Sequence, residues 1–214
     1  MIKISPAILV SSESEIDKQL ENYTKIFDQI DIDINVDGDD FEGKVTLDIQ
    51  KVISDVIPFS DTSFSFHLMV SKPIELINKI EQSELASRIY YIIHQEAHYQ
   101  EVIEKINPRN LGICIKAESR LKDIDFYKQF KEVQLMTIET GKQGNPFKPE
   151  ILERVEWLRN EGYEGIVSLD GSINLNTASL VKDFDVNRVS VGSFFSNAED
   201  VNLNKQKLEL ALNM

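Results

Sequence analysis

Gln29-Ile30-Asp31-Ile32-Asp33-Ile34-Asn35-Val36 alternates without a break, so that Ile30, Ile32 and Ile34 fall on one face of an extended strand and Asp31, Asp33 and Asn35 on the other. At the edge of an open sheet the polar face would simply meet solvent. In a closed barrel the isoleucines point outward against helices. Two carboxylates and an amide then point inward, where charge is costly unless it is paired or bound to a cation. Working outward, short β-branched or aromatic runs alternate with longer helical patterns from end to end. The strand candidates are Lys3–Leu9, Gln29–Val36, Ser63–Val70, Arg88–Ile93, Asn110–Lys116, Glu132–Ile138, Gly165–Asp170 and Arg188–Gly192. Helical patterns lie between and after them, at residues 13–27, 45–56, 73–84, 97–106, 120–129, 149–161, 174–183 and 198–212. Pro73 and Pro149 suit first helical turns, Gly162 a C-terminal cap and Asn174 an N-cap, while Ile151, Leu152, Val155 and Leu158 make one apolar face. Strand–helix units of roughly 27 residues, with no Pro- or Gly-rich linker, predict a single (β/α)8 TIM barrel over residues 1–214, an α/β fold. A doubly wound open sheet is the alternative. In a barrel, chemistry belongs at the C-terminal ends of the strands and in the loops after them.

The 214 residues carry 23 Lys plus Arg against 36 Asp plus Glu, a formal net charge of −13, and are 42% hydrophobic. That is a globular composition with enough chain to bury a large core. The acidity argues against nucleic acid or an anionic membrane as a partner held by bulk charge. An anionic small ligand remains compatible if a local site supplies positive potential. No apolar run reaches the ~20 residues that span a bilayer, and Met1–Pro6 does not open a basic-then-apolar leader, so the cytoplasm is expected. The single cysteine, Cys114, excludes an internal disulfide and, within the apolar run Leu111–Ile115, reads as a buried, inert thiol in a reducing compartment.

His67 sits near the end of the third strand, where it could join the carboxylates of the second, and Asp170 ends the seventh strand, followed by the small residues Gly171 and Ser172. Gly141–Phe147 is a polar, Gly-bearing loop of the kind that closes over a substrate. Gly192 and Ser193 end the eighth strand and lead into a helical turn, where backbone amides could hold a phosphate. His94-Gln95-Glu96-Ala97-His98 is not a zinc-protease motif, since that pattern needs Glu directly after the first His. Walker A, G-x-G-x-x-G, G-x-S-x-G and paired C-x-x-C motifs do not occur, which removes the usual support for nucleotide-dependent or serine-hydrolase chemistry.

Five segments carry a resemblance: Ile4-Ser5-Pro6-Ala7-Ile8-Leu9; Asp31-Ile32-Asp33 followed by Asp37-Gly38; Phe66-His67-Leu68-Met69-Val70-Ser71-Lys72-Pro73; Met136-Thr137-Ile138-Glu139; and Leu169-Asp170-Gly171 with Val191-Gly192-Ser193. Through them, and through His94-Gln95-Glu96-Ala97, the chain resembles the ribulose-phosphate 3-epimerase family over nearly its whole length. The resemblance implies a phosphate-binding (β/α)8 barrel whose divalent metal lies between two His and two Asp, the Asp pair also serving as acid and base. It places the acid–base roles on Asp33 and Asp170, a metal-binding His on His67, and site-lining methionines on Met69 and Met136. Asp31 stands where the family has its other metal-binding His, and Ala7 where it has a serine. Asn145 replaces a glutamine beside Gly144 in the loop, Ser172 replaces the second Gly of Asp-Gly-Gly, and one extra residue separates Asp33 from Asp37-Gly38. Aligning instead from Asp37-Gly38 would put Ile32 and Ile34 on the ligand positions, and these cannot bind metal.

The expected ligand set is therefore Asp31, Asp33, His67 and Asp170, more oxygen-rich than the family's, which could shift preference from zinc toward manganese, iron or magnesium. Gly144, Asn145, Gly171, Ser172, Gly192 and Ser193 are expected at the substrate and phosphate. The implied reaction interconverts a ketose phosphate, such as ribulose 5-phosphate, with its carbon-3 epimer, xylulose 5-phosphate, in a homo-oligomer. The alternatives are an epimerase or isomerase for another ketose phosphate, and a non-catalytic barrel that binds a phosphorylated metabolite.

Overall fold

A computed structural model describes residues 1–9, 11–36, 46–140 and 144–214. Asp37-Gly38, the first residue of the 45–56 helical pattern and Gly141–Gln143 of the expected loop lie outside the described residues. Eight parallel strands form a closed barrel in sequence order: β1 (Lys3–Ile8), β2 (Gln29–Ile34), β3 (Ser63–Leu68), β4 (Ile89–His94), β5 (Leu111–Ile115), β6 (Glu132–Met136), β7 (Ile166–Asp170) and β8 (Arg188–Val191). Lys3 to Pro6 of β1 pair with Arg188 to Val191 of β8, and this closure excludes the open sheet. The helices are α1 (Glu13–Tyr23), α2 (Ile49–Val56), α3 (Pro73–Glu81), α4 (Gln100–Lys105), α5 (Ile124–Tyr127), α6 (Leu152–Asn160), α7 (Leu175–Val181), α8 (Ser193–Ser196) and α9 (Val201–Asn213).

Local signals act where the sequence places them. Pro73 opens α3, and Gly162 turns the chain after α6 with φ +80°. Asn174 caps α7 in a reciprocal capping box with Thr177, satisfying amides that the first turn leaves without partners. The 120–129 pattern shortens to α5 because the Tyr127 hydroxyl accepts the Lys122 amide at 2.9 Å, holding that residue outside the helix.

The β2 alternation resolves as the barrel requires. Ile30, Ile32 and Ile34, with Phe64, Phe66 and Leu68 of β3, belong to the large apolar core outside the barrel, where the strands meet the helices. Ile92, Cys114 and Met136 form a separate small apolar cluster inside it. Below them the barrel is ionic. Arg188 of β8 donates to both Asp31 carboxylate oxygens, at 2.6 and 2.7 Å, and to Glu132 of β6. Hydroxyls of Ser65 and Ser190 donate to Asp31, and that of Ser168 to Glu132. Burial acts against the Arg188 charge, and the two carboxylates outweigh it, raising its pKa. Each buried charge in this floor thus has a partner, the condition on which buried ions are tolerated.

Candidate active site

The β2–β3 register sets Asp33 directly beside His67, and His67 Nδ1 lies 3.2 Å from Asp33 Oδ1. The same nitrogen lies 3.6 Å from Asp170 Oδ2, at the end of β7. Strands β2 and β7 are separated by β1 and β8, so barrel closure is what brings these acids together. One donor atom from each of Asp33, His67 and Asp170 falls in a group no more than 4.8 Å across. The imidazole is 1% exposed and the two carboxylates 12% and 13%, so the acids retain access to solvent while the ring is sealed beneath them.

Burial, reinforced by the Asp33 carboxylate, pushes the Asp170 carboxyl up to about 7. Gln134, beside it on β6, donates Nε2–H to Asp170 Oδ2 at 2.9 Å and so fixes one of its oxygens. Burial alone would lower the His67 pKa. Contact with Cys114 and Asp33 reverses this and holds it well above the ordinary imidazole value. Behind His67, at the end of β4, His94 brings its Nε2 to 2.9 Å from His67 Nε2, with the two rings stacked. Burial pushes His94 down to about 4, so it is neutral near pH 7. Glu96 Oε2 lies 3.7 Å from His94 Nδ1; burial acts to raise its pKa, but hydrogen bonds with His94, Ser119 and Gln95 bring it down to about 2.

Asp33, His67 and Asp170 fit a divalent cation: two carboxylate oxygens and one imidazole nitrogen converge, and their close negative charge is what such an ion offsets. Asp31 does not join them. It lies two residues back along β2 with both oxygens accepting from Arg188, so it sits in the ionic floor and not, as expected, beside Asp33, His67 and Asp170. The physical reason is charge pairing: a carboxylate bound to a buried guanidinium gives up that partner only at high cost.

The other expected positions cluster by loop. Gly171 has φ +120° and Ser172 φ +52°, a left-handed turn directly after Asp170. The Ser172 hydroxyl donates to the Asn145 carbonyl at 2.5 Å, and Asn145 Nδ2 donates to the Glu139 carbonyl at 2.8 Å, which ties the loop after β6 to the turn after β7. Gly144 is exposed, with φ +87°. Gly192 caps α8 with open space where a Cβ would stand, and Ser193 begins that helix exposed. Ala7 is buried on β1 two residues beyond Ser5, whose hydroxyl lies 3.2 Å from Arg188 Nη1 inside the barrel, so the alternation turns Ala7 inward as well. Met136 packs with Cys114 and Ile92, and Met69 is half-buried. Sequence reasoning did not place His94, Gln134 or Arg188 among the site residues or their supports. The signals available were a polar residue on the inward face of an otherwise apolar strand and, for His94, the His94–Ala97 run.

A (β/α)8 barrel with acids and an imidazole at the C-terminal ends of its strands falls within the TIM-barrel enzymes. Solved structures share the fold over nearly the full chain. A 3-keto-L-gulonate-6-phosphate decarboxylase from Vibrio cholerae is 12% identical with a TM-score of 0.69, covering 99% of this chain and 97% of its own. A 3-hexulose-6-phosphate synthase is 14% identical with a TM-score of 0.66, covering 99% and 100%. In sequence, the ribulose-phosphate 3 epimerase family profile matches residues 3–196. Ribulose-phosphate 3-epimerase of Schizosaccharomyces pombe is 26% identical over 205 residues, 92% of this chain and 88% of its own. That of Bacillus subtilis is 25% identical over 204 residues, 90% and 91%. The chain belongs to the ribulose-phosphate 3-epimerase family, a family of isomerases, as one of its divergent members. Among the described residues no helix is long and apolar enough to cross a membrane.

Proposed function

We propose that this chain interconverts D-ribulose 5-phosphate and D-xylulose 5-phosphate by proton transfer at carbon 3, with Asp33 and Asp170 as the acid–base pair. The observation that carries this reading is the convergence of these two carboxylates on His67 at the open end of the barrel. Inverting a carbon next to a carbonyl needs a base that removes its proton on one face and an acid that returns one on the other. With its carboxyl pushed up to about 7, Asp170 can hold a proton near neutrality and also release one, and the hydrogen bond from Gln134 orients it. Asp33, from the other strand, is the complementary group, and the roles exchange in the reverse direction. A divalent cation held by Asp33, His67 and Asp170, whether zinc, manganese, iron or magnesium, would supply charge neutralisation for the enediolate oxygens. Gly144, Asn145, Gly171, Ser172, Gly192 and Ser193 are read as the phosphate end of the site, where backbone amides supply the positive potential that an acidic chain lacks in bulk. Ala7, Met69 and Met136 line the space between. A cytoplasmic homo-oligomer completes the reading, its assembly state to be measured by sedimentation.

The decisive assay is hydrogen exchange at carbon 3 of ribulose 5-phosphate in heavy water, with metal-stripped protein and then with each cation restored. Metal-dependent exchange with xylulose 5-phosphate appearing supports the proposal; no exchange with any cation overturns it. Ala7 and Asn145, which depart from the family's residues at the site, favour one second reading, an epimerase for another ketose phosphate. A substrate panel in the same assay decides it.

A further inference from the structure

His67 reaches in two directions. Its Nδ1 faces Asp33 and Asp170, while its Nε2 lies 2.9 Å from His94 Nε2 across the ring, and the buried Cys114 is in side-chain contact with the same imidazole. One donor atom from each of His67, His94 and Cys114 lies in a second group within 4.8 Å, and all three residues are at most 1% exposed. This group shares only His67 with the first. Its chemistry differs as well: two imidazole nitrogens and one sulfur are a soft set, whereas two carboxylates and one nitrogen are a harder one.

We propose that His67, His94 and Cys114 form a distinct site for a thiophilic divalent cation such as zinc or cobalt(II), bound through His67 Nε2, His94 Nε2 and Cys114 Sγ. Binding is a proton exchange: the thiol releases its proton as the sulfur–metal bond forms, and any proton on either Nε2 leaves as that nitrogen becomes a ligand. Three protein donors leave the fourth tetrahedral position to a water. The site is linked to the acid pair through one imidazole. A neutral imidazole has a single lone pair, so a cation on Nε2 leaves the proton on Nδ1, which then faces Asp33 as a donor and is closed to a cation between the carboxylates. The soft cation therefore excludes the harder one, and the lower site is antagonistic to the upper.

The test does not depend on any substrate. Cobalt(II) is added to the metal-free protein, and the thiolate-to-cobalt charge-transfer absorption in the near ultraviolet is recorded; Cys114 is the single cysteine of the chain, so the band has one possible source. The band is expected in the unaltered protein, is expected to persist in Asp170→Asn, and is lost in Cys114→Ala and in the near-isosteric Cys114→Ser. Excess manganese added first is expected to diminish it. Cobalt bound without the band, no cobalt bound at all, or a band surviving in either cysteine variant overturns the proposal. Failure of the epimerase assay leaves this result untouched, because the readout is the sulfur–metal bond.

Discussion

Arg188 donates through one nitrogen, Nη1, to both carboxylate oxygens of Asp31, at 2.6 and 2.7 Å, across 157 residues of sequence. This contact separates two aspartates that share a face of β2: Asp31 closes the barrel floor and Asp33 is left facing the mouth.

Asp31→Ala leaves a buried guanidinium with Glu132 as its one counter-charge among the described residues, and breaking such a pair costs about 3–5 kcal/mol. Urea denaturation of the metal-free variant should show that loss. Asp33→Ala should cost much less stability and instead weaken cation binding. If Asp31→Ala lost the cation while keeping its stability, Asp31 would be a ligand after all.

Asp170→Asn keeps the shape of the side chain and removes its acid–base capacity. Turnover should fall by about 10²–10⁴-fold, with the circular dichroism spectrum unchanged. Turnover near the unaltered level in the folded variant would take Asp170 out of the mechanism.

The same carboxyl sets a pH dependence of stability in the metal-free protein. Its pKa is raised from 3.8 unfolded to about 7 folded, so the folded state holds the extra proton across that interval. The contribution is fully present below 3.8 and is lost as pH rises through about 7. Denaturation midpoints compared between the unaltered protein and Asp170→Asn should therefore converge at low pH and diverge toward and above neutrality, the variant being the more stable there. Parallel curves would contradict the raised pKa.

Gly171→Ala meets two obstacles. The backbone there has φ +120°, and an added Cβ would lie 2.8 Å from Ile138 Cγ1 and 2.9 Å from Cγ2. Backbone strain of this kind costs about 1–3 kcal/mol, and relieving it shifts the turn that carries Ser172 and follows Asp170. Thermal unfolding should move down, and KM for the sugar phosphate should rise more than kcat falls. An unchanged melting temperature would mean that the turn has room the geometry does not reveal.

Most of this architecture was legible before any tertiary contact was known, because strand alternation and helix end signals are local. All eight expected strands overlap observed ones, and Asn174 and Gly162 act where a cap and a turn were expected. The site was partly legible. Asp33, His67 and Asp170 end neighbouring or closure-linked strands, as the alternation and the family resemblance implied. His94 enters only through the His94–Ala97 run and receives no place at the site, and Gln134 is not singled out, because one polar residue on the inward face of an apolar strand has the same signature whether it supports a site or merely fills a core.

The limit is clearest at Asp31 and Asp33. Alternation along the chain is enough to put both on one face of one strand, and it favours the inside of a barrel for that face, which the β1–β8 pairing then establishes. Only the tertiary structure decided which of them meets a guanidinium and which meets an imidazole, since Arg188 and His67 arrive from different strands and the partner that neutralises a buried charge is set by barrel closure and register rather than by local pattern.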